Sequence, residues 1–509
     1  MNPLQKAGAV WLSTLLLLLI SLKSPHVNAD PIDIPQIIQQ MEDSLERDNS
    51  FNAQTCQELI LNNTEDLFKE PSEDFFPSKN ASPEELKLFK DQIDITLQKM
   101  FKMRLLLKEK ELEFYQSQTL TSGCVEALRR AHRVLRSGEE FLIDWYQGHG
   151  ILSLKAGPLL SAKKYQTQLN PFIYESQQGL EEKDFKTGDI FLIRGTTFLS
   201  ALIARLGVEG SLFSHLTMII ESPEGKQYVA ESLAFDDIKL TPLSKYLHEK
   251  EGRAVLYRFR DFDLAQKAGR EFYNYLQKLK LEHKKLRYDY YMVLDDPGRL
   301  YCSELIRLIF GLQGVEVPLY LTQLDHFKHT HFLRDLGVKA PVIFAPGDLE
   351  VDPRFVIIGE YINLEKKRSL HLQDAALKSI LTWSLEKDYR LQPNLKTEFI
   401  GQLGFFIREL GFLENTIPGT MPESLLINLY KLQKTSKILE RNLLEKEARY
   451  FRKHRFSMTL YDLMAINESF RKSDCRSQPL DRWLTPFWWQ DPELRHFHHI
   501  YGPDHGHCD

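Results

Sequence analysis

Apolar residues recur at Leu86, Phe89, Ile93, Leu97, Met100 and Phe101, the spacing of one helical face. Just ahead, Ser82-Pro83-Glu84-Glu85 offers a capping serine, a proline suited to the first helical position and a glutamate that closes a capping box. A second periodic stretch runs from Val125 through Leu135 to Leu142. Residues 30–184 therefore read as an N-terminal helical region, a hairpin or bundle of long amphipathic helices. Near residue 185 the pattern changes. Gly188-Asp189 leads into the buried-strand run Ile190 to Ile193, and short apolar runs follow at Leu216 to Ile220, Tyr228 to Ala230 and Ala254 to Tyr257. A helix is expected from Leu264 to Leu281, and another opens at Cys302-Ser303-Glu304, carrying Leu305, Ile306, Leu308 and Ile309. Short strands with a few helices over residues 185–355 make this part α+β. Residues 356–509 return to helical spacing, with Met421-Pro422-Glu423-Ser424 opening a helix whose apolar face includes Leu425, Leu429 and Leu432.

The N-terminus follows another logic. Lys6 precedes a nearly unbroken apolar stretch from Val10 to Leu22; Ser24-Pro25 interrupts it, and Val27-Asn28-Ala29 offers small residues for cleavage before Asp30. Residues 1–29 read as a secretory signal peptide, too short in their apolar run for a comfortable membrane span. Export to a periplasm or to the medium is the expectation, with membrane contact only transient. Of the 509 residues 43% are hydrophobic and 27% charged, an ordinary globular balance. The net charge is −5, and removal of the leader takes away Lys6 and Lys23 and no acid. A mildly acidic chain is not built to bind nucleic acid. No phosphate-binding loop, dinucleotide fingerprint or Gly-x-Ser-x-Gly elbow occurs, which argues against ATP-driven, NAD-dependent or serine-hydrolase chemistry. No cofactor is called for.

Five cysteines are present: Cys56, Cys124, Cys302, Cys475 and Cys508. Pairing within the N-terminal part and within the C-terminal part leaves Cys302 free. Three groups in the central region suit a thiol nucleophile. Ser214-His215 stands at the start of an apolar strand, Glu231 follows the next strand, and Tyr301-Cys302-Ser303-Glu304-Leu305 sets a cysteine at a helix N-terminus. The helix dipole and its free N–H groups favour the thiolate, which is the attacking form. An imidazole takes the thiol proton and returns it to the leaving group, and a third polar group orients the ring. His215 and Glu231 are spaced for a hairpin turning at Pro223-Glu224-Gly225, which brings the two side chains next to each other.

In order and spacing, Gly188-Asp189-Ile190, Ser214-His215, Glu231, Tyr288-Asp289-Tyr290 and Tyr301-Cys302-Ser303-Glu304-Leu305 resemble the YiiX/YebB-like branch of the NlpC-type cysteine hydrolases. That branch has a circularly permuted papain-like fold in which the histidine precedes the cysteine. The resemblance covers roughly residues 185–355. It implies that Cys302 is the nucleophile, His215 the base and Glu231 the third polar residue. It also implies that Gly188 and Asp189 form the opening turn and that Tyr288 and Asp289 are structural. The implied chemistry is cleavage of an amide or ester through an acyl-thioester, with cell-wall peptide as the leading substrate.

Two rival readings stand beside this one. The first keeps the chemistry and exchanges the substrate for a lipid ester or amide, as in a hydrolase or acyltransferase of the same fold. The second is a catalytically silent helical scaffold or binding module, against which the presence of both His215 and Cys302 argues. The helical regions are expected to offer a surface to a protein partner, or a lid. In the tail, His496, His498, His499, His505, His507 and Cys508 match no standard zinc spacing, so no metal site is expected. Trp483, Phe487, Trp488 and Trp489 read as packing residues, and Asp295-Asp296 before Pro297-Gly298 as a turn.

Overall fold

The computed structural model describes residues 82–148, 182–206, 212–234, 237–247, 251–296, 298–324, 330–393, 398–399, 402, 421–455, 457–477 and 496–504. The leader, Cys56, the Trp483–Trp489 segment, His505, His507 and Cys508 lie outside these residues. Helix α1 (Pro83–Gln116) opens with the expected capping box. The Glu85 N–H donates to the Ser82 hydroxyl at 3.2 Å, and the Ser82 N–H to the Glu85 carboxylate at 2.6 Å. Its partner α2 (Ser122–Gly148) packs along it, so the first region is a helical hairpin.

The central part is built on one antiparallel sheet. Its strands are β1 (Ile190–Arg194), β2 (His215–Glu221), β3 (Gln227–Leu233), β4 (Asp237–Pro242), β5 (Arg253–Phe259) and β6 (Phe355–Ile362), in the spatial order β6-β5-β1-β2-β3-β4. Helix α3 (Phe198–Leu206) follows β1, α4 (Phe262–Leu281) follows β5, and α5 (Glu304–Gly311) lies between β5 and β6 in the chain. Central strand β1 is buried along its whole length, which explains why Ile190 to Ile193 is continuously apolar instead of alternating. Its alternate residues feed two cores. Ile190 and Leu192 join Met218, Val255, Phe272 and Ile306, while Phe191 and Ile193 join Ile219, Val229, Leu256 and Tyr246.

The sheet takes in β4, which carries no long apolar run, and β6, whose apolar run Phe355-Val356-Ile357-Ile358 begins at residue 355, where the sequence places the end of this domain. The reason lies in pairing. Both strands are edges of the sheet, and Glu360 in β6 is a charged residue whose burial is matched by partners elsewhere in the chain. Gly188, at φ +96°, makes the opening turn, its position closed to a side chain by the Ala265 backbone 2.8 Å from where a Cβ would stand. Asp189 then accepts from the Lys186 N–H and from the Arg258 guanidinium.

The helical hairpin is bound to the sheet by buried charge. Arg104 of α1 pairs with Glu139 of α2 and with Glu360 of β6, and Glu360 also faces Arg253 at 3.1 Å and Arg136 at 3.4 Å. Arg136 adds Glu350, and its guanidinium lies 4.7 Å from the centre of the Phe213 ring.

C-terminal to the sheet, α6 (Leu364–Glu386), α7 (Glu423–His454) and α8 (Leu460–Ser477) pack together, and β7 (Tyr389–Leu391) pairs with β8 (Tyr501–Pro503). His496 and His498 both bond to Asp474 of α8, and His498 continues to the Tyr389 hydroxyl at 2.8 Å. Two of the tail histidines are thus packing ties. Among the described residues no His/Cys/Asp/Glu group is arranged to hold a metal ion, and no helix is long and apolar enough to cross a membrane.

Candidate active site

His215 is the first residue of β2, and its position is set by the residue before it. The Ser214 N–H donates to the Ile193 carbonyl at 2.7 Å, and its hydroxyl accepts from the Gly195 N–H at 3.2 Å, fastening the start of β2 to the end of β1. In the β2–β3 register Met218 faces Ala230, so one further step sets Glu231 opposite Thr217 and diagonal to His215. The expected hairpin forms, and His215 Nε2 lies 3.4 Å from Glu231 Oε2. Lys239 of β4, opposite Glu231, brings its ammonium to 4.0 Å of the other carboxylate oxygen.

Cys302 comes to this corner through its neighbours. The Ser232 hydroxyl donates to the Leu300 carbonyl at 2.8 Å, and the Tyr301 hydroxyl accepts from the Phe344 N–H at 2.8 Å. Asp289 closes the preceding loop by accepting from the Tyr291 and Val293 N–H groups. Helix α5 begins at Glu304, two residues later than Cys302, but the Leu305 N–H reaches back to the Tyr301 carbonyl at 3.3 Å, so Cys302 and Ser303 form its entering turn. The thiol is therefore at the positive end of a helix, where an anion is favoured.

The Cys302 Sγ lies 3.8 Å from the Ser214 carbonyl oxygen and 3.7 Å from the Ser303 hydroxyl, which puts the thiol beside His215, the residue that follows Ser214. Since Glu231 engages Nε2, Nδ1 is the ring nitrogen left for sulfur. Burial by itself favours neutral forms of both groups. For His215 the hydrogen bonds and charges of Cys302 and Glu231 outweigh it and push the imidazole up to about 10. For Cys302 burial is outweighed by the hydrogen bond and charge of His215, helped by the Ser303 hydroxyl and the Leu216 N–H, and the thiol is held below its ordinary value. Both shifts favour the thiolate–imidazolium form of the pair. Cys302 is only 4% exposed.

The three residues singled out in the sequence are thus brought together. Ser214 and Ser303 appear in the sequence only as companions of His215 and Cys302. Their contacts depend on which way a backbone carbonyl and a hydroxyl point, which no spacing reveals. Cys302 is the free cysteine among the described residues, whereas Cys124 and Cys475 are disulfide-bonded.

Residues 184–331 match the family of permuted papain-like amidase enzymes, YaeF/YiiX, C92. The match spans under a third of the chain, and a search of curated proteins finds no relative. The central fold is the permuted papain-like one, α+β in class, and its chemistry is that of cysteine peptidases and amidases.

Proposed function

We propose that this protein is an exported thiol amidase of cell-wall peptides, with Cys302 as nucleophile, His215 as general base and then general acid, and Glu231 as the group that orients the ring. The observation that carries the reading is the convergence of Cys302, at the entering turn of α5, with the Ser214-His215 start of β2 and the His215–Glu231 contact. The thiolate attacks the amide carbonyl, and the imidazolium gives its proton to the departing amine, leaving an acyl-thioester. His215, now neutral, takes a proton from water as that water attacks the thioester. The thiolate leaves and the pair is restored. Glu231 holds Nε2 throughout and stabilises the positive ring.

Export is supported by the signal-like residues 1–29 and by the disulfides at Cys124 and Cys475, which belong to an oxidising compartment. Cell-wall peptide is the substrate that export and this amidase class point to together. The test is digestion of purified peptidoglycan by the mature protein and by Cys302→Ala, with products read by mass spectrometry. New peptide fragments from the wild type alone support the reading. Fragments from both remove Cys302 from the mechanism. Fragments from neither shift the substrate to another acyl compound, the lipid ester or amide first among them.

A further inference from the structure

One corner of the molecule carries charge opposite to that of the whole. The chain is acidic overall, at −5, yet residues 277–287 hold Lys278, Lys280, Lys284, Lys285 and Arg287 against a single acid, Glu282. This stretch ends α4 and turns back toward the segment that carries Cys302. The turn is closed by backbone bonds. The His283 N–H donates to the Lys280 carbonyl at 3.2 Å and the Lys284 N–H to the Leu279 carbonyl at 2.9 Å, with His283 in the left-handed region at φ +56°. The corner is therefore a built projection of the fold, and residues 280–285 are all exposed.

A helix C-terminus attracts cations, so Lys278 and Lys280 have a local reason to be there. Lys285, Arg287 and Arg299 have none. The short strands Arg287–Tyr288 and Arg299–Leu300 pair in parallel, and their register sets Arg287 beside Arg299, both exposed. Like charges side by side across a strand pair are unfavourable unless something offsets them. Nearby acids are already engaged. Glu282 pairs with Lys278 and Lys284, Asp295 with Arg307, Asp296 accepts from the Gly298 N–H, and Asp289 is buried on the Tyr291 and Val293 N–H groups. Lys280, Lys285, Arg287 and Arg299 form no ion pair among the described residues. At the tip stands Leu281, 82% exposed, the most exposed large apolar side chain among the described residues. An apolar side chain set among unpaired cations fits an anionic surface with an apolar layer beneath it, which is the face of a bilayer. A soluble polyanion would use the cations and leave Leu281 in water.

We propose that the corner at the end of α4 is a docking surface for a bilayer of anionic phospholipid. Lys280, Lys285, Arg287 and Arg299 meet the headgroup phosphates, and Leu281 enters between the headgroups. The surface includes none of Cys302, His215 and Glu231 and does not depend on their substrate. It also goes beyond the transient membrane contact expected of the leader.

The test is co-sedimentation of the mature protein, which lacks the apolar leader, with vesicles of phosphatidylglycerol and phosphatidylcholine, and with vesicles of phosphatidylcholine alone. Polyphosphate serves as the soluble polyanion. Two variants accompany the wild type: Lys280→Glu combined with Lys285→Glu, and Leu281→Ser. All three side chains are exposed, and an unchanged rate of Cys302 alkylation shows that a variant has kept its fold. The expected result is binding to the phosphatidylglycerol vesicles alone, released near about 1 M salt, where the screening length is about 3 Å. Binding should weaken at least about tenfold in the double charge reversal and about fivefold in Leu281→Ser, whereas polyphosphate should not distinguish Leu281→Ser from the wild type. The proposal falls if the wild type does not bind phosphatidylglycerol vesicles, if phosphatidylcholine vesicles bind as well, or if the double charge reversal binds as tightly as the wild type. Unchanged vesicle binding in Leu281→Ser beside tight binding of polyphosphate overturns it too, in favour of a general polyanion surface. Should the double charge reversal fail to fold, Leu281→Ser and the salt dependence decide.

Discussion

Cys302 and His215 each carry a charge that titration can remove, one at either end of the pH range. Acid protonates the thiolate, whose affinity for protons is held below that of an ordinary thiol. Alkali removes the proton of the imidazolium, at about 10. The rate of acylation is therefore expected to rise with pH at a thiol titration below the ordinary one and to fall as pH approaches about 10. The pH profile of iodoacetamide inactivation measures the thiolate half of the pair. In the wild type Cys302 is expected to react faster at pH 7 than an ordinary thiol, because more of it is thiolate there. In His215→Ala it returns to an ordinary thiol titration and slows roughly tenfold or more at pH 7, because an unperturbed thiol is only a few per cent ionised there. Turnover in that variant drops by about 10²–10⁴, the usual worth of a positioned acid–base group. A thiol that alkylates slowly at neutral pH in the wild type would instead favour a catalytically silent scaffold.

At the scale of elements, the α1–α2 hairpin is held to β5 and β6 by charges that have left water. Glu360 faces Arg104, Arg136 and Arg253 together, so Glu360→Gln leaves an excess of buried positive charge. The expected loss is about 3–5 kcal/mol in chemical denaturation, the range for breaking a buried pair from one side. Burial pushes the Glu360 carboxyl up, but Arg104, Arg253 and Arg136 outweigh this and hold it down at about 2, below its ordinary 4.5. Its contribution to stability is thus complete above about pH 4.5 and is lost as pH falls toward 2. Glu139 behaves oppositely. Burial pushes it up to about 7 against the pull of Arg104, so its contribution is complete below about pH 4.5 and is lost as pH rises through 7. Unfolding midpoints measured at pH 5 and pH 8 should show the wild type losing stability between them and Glu139→Gln losing less. An unchanged slope in Glu139→Gln would assign the pH dependence to another group.

For the whole molecule, the distribution of thiols and the site of cleavage report the compartment. Protein produced with its own leader in an exporting host is expected to begin at Asp30, read by N-terminal sequencing. The native oxidised protein should titrate with a single free thiol that disappears in Cys302→Ala. Reduction should lower stability by about 2–5 kcal/mol for each disulfide opened, without blocking attack by Cys302 in the fraction that stays folded. An intact N-terminus at Met1, or several free thiols in the native state, would argue for retention in a reducing compartment.

The sequence by itself determined the local structure and the chemistry that one-dimensional spacing can express. Ser82-Pro83-Glu84-Glu85 announces the start of α1 because a capping box is closed within four residues. The unbroken run Ile190 to Ile193 marks a strand covered on both faces. His215, Glu231 and Cys302 stand out because a thiol nucleophile needs a base and an orienting group, and a hairpin of this length supplies the second pairing. Tertiary structure alone decided the rest. Glu360 reads as an interruption in an apolar stretch until Arg104, 256 positions away, is seen beside it. β6 is an apolar run in the sequence, but its place at the edge of the sheet is set only by its pairing with β5. Glu304 looks like the last member of a Tyr-Cys-Ser-Glu motif, and only the fold shows that it is buried and accepts from the Asp295 N–H. Local patterns follow from bonds made between neighbours in the chain. The buried charges depend on distances between residues far apart in sequence, which the folded chain alone sets.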